Sequence, residues 1–163
     1  MPKVLFESLP EDARAWVFAA DRALGEPERA RILAEVDGFL DNWTAHGVPL
    51  KAAGELRYDR FLLIAVDERA AGASGCSIDA LVRRIKQVGD TLGVTLLDHA
   101  PVDYRTGSTV VRVSREEFAD RITRGEVTRD TLVFNNTVTS VGEIRAGRWE
   151  TPASGSWHGQ VFF

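Results

Sequence analysis

The chain is short of cysteine, of lysine and of long apolar runs, and each shortage removes a class of function. Cys76 is the only cysteine, so no intrachain disulfide forms, and a secreted framework built on several bridges is excluded. A single thiol fits a reducing compartment. Residues 1–14 (MPKVLFESLPEDAR) carry a short apolar patch at 4–6 and then acids, without the apolar core and small-residue cleavage site of a signal peptide. The longest apolar run, 61–66, falls far below the ~20 residues that span a bilayer. A cytoplasmic protein with no membrane partner is expected. Lys3, Lys51 and Lys86 are the only lysines, and no Lys/Arg run has the density that contact with a phosphate backbone requires. The densest basic group, Arg83, Arg84 and Lys86, falls on the polar side of an expected helix. With a formal net charge of -4 and a pI near 5.4, no nucleic-acid partner is expected. CxxC and HxxxH spacings are missing too, so no metal site is assigned, although His46, Asp67, Cys76 and Asp79 are acceptable ligand types.

What is present is the composition of a globular domain: 163 residues, 44% hydrophobic and 27% charged. A chain of this length buries roughly 70% of the surface its unfolded form exposes, so its core needs no disulfide or metal, and no cofactor is expected. Residues 14–20 (RAWVFAA) read as a buried strand. Gly25, Glu26 and Pro27 announce a helix, in which Ile32, Leu33, Val36, Phe39, Leu40 and Trp43 share one face before Gly47 and Pro49 stop it. Residues 50–58 and 60–67 form a hairpin about Asp59. The second of these strands is apolar throughout 61–66, as a strand covered on both faces would be. Ser77 is expected to cap a second helix, with Ile78, Leu81, Val82, Ile85, Val88 and Leu92 on one face and Gly93 at its end. Residues 94–98 read as a further strand.

The order over 14–98 is β-α-β-β-α-β, which is the ferredoxin-like arrangement: an antiparallel sheet with two helices on one face. The fold class is therefore α+β, in one domain, with 99–163 as a β-rich extension packing on the core. In that extension, 102–105 and 109–113 flank the hairpin signal Thr106-Gly107. Ser114 and Glu117 make a capping box for a short helix ending near Gly125, and 131–135 and 138–144 read as strands. The C-terminal segment holds Trp149, Trp157, Phe162 and Phe163, too apolar for a free tail, and is expected to pack on the domain or on a partner.

The strings WTAHG (43–47), RYDRFLLIAVDE (57–68), SGCSID (74–79), LVFNNTV (132–138) and SWH (156–158) together resemble a family of small uncharacterised bacterial proteins, over nearly the whole span 14–158. Members often carry the label of ABC transporter ATPases. That label implies a GxxxxGK[ST] loop to hold phosphates. No glycine in this chain is followed by lysine, so ATPase activity is not expected, and the resemblance implies no other chemistry.

One cluster stands above background. GASGCSID (72–79) leads into the second helix, whose N-terminal amides attract anions and would favour a thiolate at Cys76. The candidate catalytic pair is Cys76 with His46 as base. Asp67, Ser74, Gly75, Ser77 and Asp79 are the candidate ligand-binding residues beside it, and in the expected topology His46, Asp67 and Cys76 converge at one end of the sheet. Arg60, with Arg57 and Tyr58 at the hairpin turn, is a candidate anion clamp. A buried, inert Cys76 beside an ordinary helix cap explains the same residues. His99 reads as a turn residue. His158 beside Trp157 suits either a pocket wall or packing. Trp16, Phe39 and Trp43 sit at core spacing. The expected function is a ligand-binding or protein-interaction domain, with a small anionic ligand or a homodimer or other protein as partner. A small cysteine-dependent enzyme is the alternative.

Overall fold

The structure, a computed structural model, describes residues 4–163; Pro2, which reads as a breaker in the lead-in, lies outside the described residues. It is a mixed α+β chain with antiparallel sheets. β1 (Arg14–Ala19) leads to α1 (Glu26–Asp41), which begins beyond Gly25 with proline in its first turn. β2 (Thr44–Ala45) and β3 (Val48–Pro49) form a two-residue hairpin turned at His46 and Gly47, both at positive φ. β4 (Lys51–Arg57) and β5 (Phe61–Asp67) follow, and then α2 (Gly75–Leu92).

β1, β4 and β5 form one sheet in the order β1-β5-β4, antiparallel throughout. Every residue of β5 is buried because both faces are covered. On one face Phe18, Leu62, Ile64 and Val66 pack with Ile32, Val36 and Leu40 of α1 and Leu81, Ile85 and Val88 of α2. On the other, Ala15, Val17, Phe61 and Leu63 pack with Phe134, Val138, Val141, Ile144 and Trp149. The β4–β5 turn leaves three residues between the paired Arg57 and Phe61; Tyr58 and Asp59 are both at φ 56°, a consecutive left-handed pair, and Arg60 N–H closes the turn on Arg57 O at 3.2 Å. Tyr58 is held there by the rings of Phe61, Phe134 and Trp149.

The expected fourth strand does not form. Residues 94–98 bury Val94 and Leu96 and expose Thr95, which is strand-like alternation, but the segment lies along α2. Gly93 ends that helix at φ 67°, and Val94 N–H then donates to Gly89 O at 2.9 Å. A β-carbon on Gly89 would lie 2.5 Å from Val94 O, so only glycine admits this approach. Two bonds between one pair of residues, Asp21 N–H to Thr95 O at 3.1 Å and Thr95 N–H to Asp21 Oδ1 at 3.3 Å, tie the segment to the chain just after β1.

The rest of the chain builds a second sheet, β7-β6-β8-β9, from β6 (Val102–Thr106), β7 (Thr109–Val113), β8 (Leu132–Phe134) and β9 (Glu150–Pro152). α3 (Arg115–Thr123) starts at Ser114, whose Oγ accepts from Glu117 N–H; this is one half of the expected capping box, since the Glu117 carboxylate accepts instead from Arg121 and Arg124. Residues 138–144, expected as a strand, instead hold the start of α4 (Val141–Arg145). Ser140 caps that helix by accepting from Glu143 N–H, and the Glu143 carboxylate accepts from Thr139 N–H. The Ser140 cap, with the Glu143 carboxylate reaching back to Thr139 just before it rather than to Ser140 N–H, outweighs the β-branched residues around it. α5 (Trp157–Phe162) packs Trp157, Phe162 and Phe163 on a third core around Phe118, Tyr104 and Val133, so the aromatic C-terminal segment packs on its own chain.

Candidate functional site

The Cys76 cluster forms in part. Ser74, not Ser77, is the cap of α2: its Oγ accepts from Ser77 N–H at 3.2 Å, while Ser77 Oγ donates to Ser74 O at 2.8 Å. Ser77 lies inside the first turn and is buried. Gly75, Cys76 and Asp79 are exposed on that turn. Trp43 Nε1 donates to Ser77 O at 2.9 Å, which brings the β2–β3 hairpin against α2. His46 is at the exposed tip of that hairpin, and no hydrogen bond joins it to Cys76 among the described residues. Asp67 is buried and engaged by the Arg69 guanidinium, which holds its carboxyl below the usual carboxylate range. The Arg57–Arg60 clamp does not assemble. Arg57 pairs with Glu55, and Arg60 is buried with Nη1 unbonded. Burial pushes the Arg60 guanidinium below its ordinary value, opposed by the charges of Asp103 and Asp21 and reinforced by that of Arg112. Among the described residues no group of three or more His, Cys, Asp or Glu is placed to hold a metal, and no helix is long and apolar enough to cross a membrane.

A different site lies where the two sheets meet. A cavity of about 320 Å³ runs along the free edge of β1, within the usual size range of small-molecule sites. One wall is β1 itself, from Arg14 to Phe18. The facing wall comes from the extension: Phe134, Asn136–Thr139, Trp157 and His158, with His99, Pro101 and Arg112 completing the lining. Four basic or imidazole side chains line it and no carboxylate does, in a chain whose net charge is -4.

The walls are fixed from behind. Arg112 donates from Nε and Nη2 to the two oxygens of the fully buried Asp103 carboxylate, at 2.8 and 3.1 Å. Asn136 Nδ2 donates to the same carboxylate at 3.0 Å, and its Oδ1 accepts from Trp149 Nε1 at 2.9 Å. Arg112 is therefore neutralised and held, and Arg14 is the cation with no ion pair among the described residues. Its guanidinium sits 5.2 Å from the centre of the Trp16 ring. His158 is 1% exposed. It stacks on Trp157 with ring centres 3.9 Å apart, and its Nδ1 lies 2.5 Å from Ser156 Oγ. Burial, together with the nearby Arg115, lowers its pKa to about 4, so it is a neutral wall at neutral pH. The indole Nε1 of Trp157 is buried without a hydrogen-bond partner.

Sequence reasoning offered His158 beside Trp157 as a pocket wall, one of two readings of that pair, and assembled no site around it. His99 and His158 read as unrelated residues 59 positions apart, and only the closure of the second sheet on β1 brings both to one cavity. The one available signal was SWH at 156–158, where a serine two residues before a histidine can orient the ring. Compared with protein families, with curated proteins and with solved structures, the chain gives no match.

Proposed function

We propose that this chain is a binding protein for a small organic anion with an apolar body, held in the cavity between β1 and the second sheet. The observation that carries the reading is the lining. Apolar and aromatic side chains make most of the wall, Arg14, Arg112, His99 and His158 supply its polar chemistry, and no acid opposes an anion. A carboxylate meets Arg14 without first breaking an ion pair, while Trp16, Phe18, Phe134 and Trp157 take the apolar part. On this reading the first sheet and its two helices are a ferredoxin-like core lacking its fourth strand, and the cavity occupies part of the place that strand would fill. Nucleotide hydrolysis plays no part in the reading, because no phosphate-binding glycine-lysine loop is present.

The test is calorimetric titration with 3-phenylpropionate at millimolar concentration, against 3-phenylpropanol as the uncharged equivalent. The acid is expected to bind at least tenfold more tightly than the alcohol, Arg14→Gln to remove that preference, and Cys76→Ser to change nothing. No binding of the acid, or equal binding of acid and alcohol, overturns the reading. Loss of binding in Cys76→Ser moves the function to the exposed thiol.

A further inference from the structure

The outer edge of β1 is closed at both ends and open in the middle. At one end Ala15 N–H donates to Thr139 O at 2.9 Å, and Val141 N–H donates to Ala13 O at 3.0 Å. At the other, Asp21 N–H donates to Thr95 O. Even-numbered residues of β1 turn their backbone groups toward β5, as Ala20 N–H to Arg60 O shows. The odd-numbered residues turn theirs away from it. Ala15 C=O and both polar groups of Val17 therefore point from the sheet edge toward the side where the cavity lies, and among the described residues none has a hydrogen-bond partner. Both residues are 3% exposed and both line the cavity. Buried backbone groups are almost always paired, and an open strand edge is the standard template for a further strand.

We propose that the ligand is an N-acylated α-amino acid, bound as a one-residue fourth strand on Val17. This rests on the anion-binding reading above and specifies what the anion carries besides its charge. The ligand's amide N–H donates to Val17 C=O. A carboxylate oxygen accepts from Val17 N–H, and the carboxylate lies in the field of Arg14. The amino-acid side chain meets the aromatic walls. Thr139 and Thr95 bound the slot at its two ends, and the volume is about 320 Å³, so one residue fits and a longer peptide does not. An acid without the amide leaves Val17 C=O unpaired.

The test compares N-acetylphenylalanine with 3-phenylpropionate, which is the same molecule without the acetamido group, and with N-acetyl-N-methylphenylalanine. N-acetylphenylalanine is expected to bind at least tenfold more tightly than either, and to shift the Val17 amide proton downfield in the NMR spectrum of the labelled protein. Acetyl-Ala-Ala-Phe is expected to bind more weakly than N-acetylphenylalanine. Equal affinity for N-acetylphenylalanine and 3-phenylpropionate overturns the strand pairing and leaves the anion site standing. Equal affinity of the N-methylated acid, an unmoved Val17 resonance, or tighter binding of the tripeptide also overturns it. Failure of 3-phenylpropionate to bind at all overturns the anion site, and the strand pairing with it.

Discussion

Ser156 Oγ and His158 Nδ1 lie 2.5 Å apart in a buried corner of the second sheet's core. The contact fixes the ring against Trp157, and burial holds the imidazole neutral, with its pKa lowered to about 4. In the unfolded chain the same ring titrates near the ordinary histidine value, about 6.5. The unfolded state therefore takes up a proton first as pH falls. This residue costs no stability above about pH 6.5, a growing amount as pH falls from there, and a constant amount below about 4, reaching about 3 kcal/mol. Urea unfolding at pH 7 and at pH 4.5 is expected to show this loss in the natural chain, and a smaller one in His158→Asn. Equal losses in the two proteins would show that His158 titrates alike in the folded and unfolded states.

Asp103 supports Arg112 and Asn136 from behind the cavity. Asp103→Asn leaves a guanidinium whose side chain is 9% exposed without its counter-charge, and breaking a buried pair from one side costs about 3–5 kcal/mol. The double change Asp103→Leu with Arg112→Met removes both charges together and is expected to cost less than Asp103→Asn alone. Chemical denaturation of the three proteins checks the order. A double variant less stable than the single one would show that the ion pair itself, not its uncompensated half, carries the stability.

Gly89 and Gly38 are both helical glycines with opposite surroundings. A β-carbon at Gly89 meets Val94 O at 2.5 Å, and at Gly38 it meets nothing within 4 Å. Gly89→Ala is expected to lower stability by about 1–3 kcal/mol, and Gly38→Ala to raise it by up to about 1 kcal/mol through helix propensity. Thermal unfolding distinguishes them. A neutral Gly89→Ala would mean that the 94–98 segment moves freely off α2.

The first half of the chain is largely legible because local rules act in one direction there. The helical face of Ile32, Val36 and Leu40, the all-apolar β5, and the αL stop at Gly93 each carry their own signal, and each forms as expected. Residues 94–98 mislead because alternation reports burial on one side and says nothing about hydrogen-bond partners. Val94 and Leu96 are buried, but Val94 N–H goes to α2. Residues 138–144 mislead because Val138, Thr139 and Val141 favour strands while the cap at Ser140 with Glu143 decides for a helix. The Cys76 cluster shows correct residue types at a helix start, but those side chains are engaged with one another or turned to solvent. The cavity escapes a sequence reading because it comes from tertiary closure: its histidines, its arginines and the bare edge at Val17 share no local pattern.

That closure has a kinetic consequence. The cavity joins β1 to α5, the first strand and the last helix of the described residues, so its walls meet only by a contact of very long sequence separation, the slowest kind to form. During synthesis the first sheet can assemble with its two helices while the opposite wall is still unmade. Each molecule then passes through a period in which the β1 edge is bare and open to pairing with any other strand. Mispairing between neighbouring nascent chains is the hazard this architecture carries, and completion of the C-terminal aromatic segment ends it.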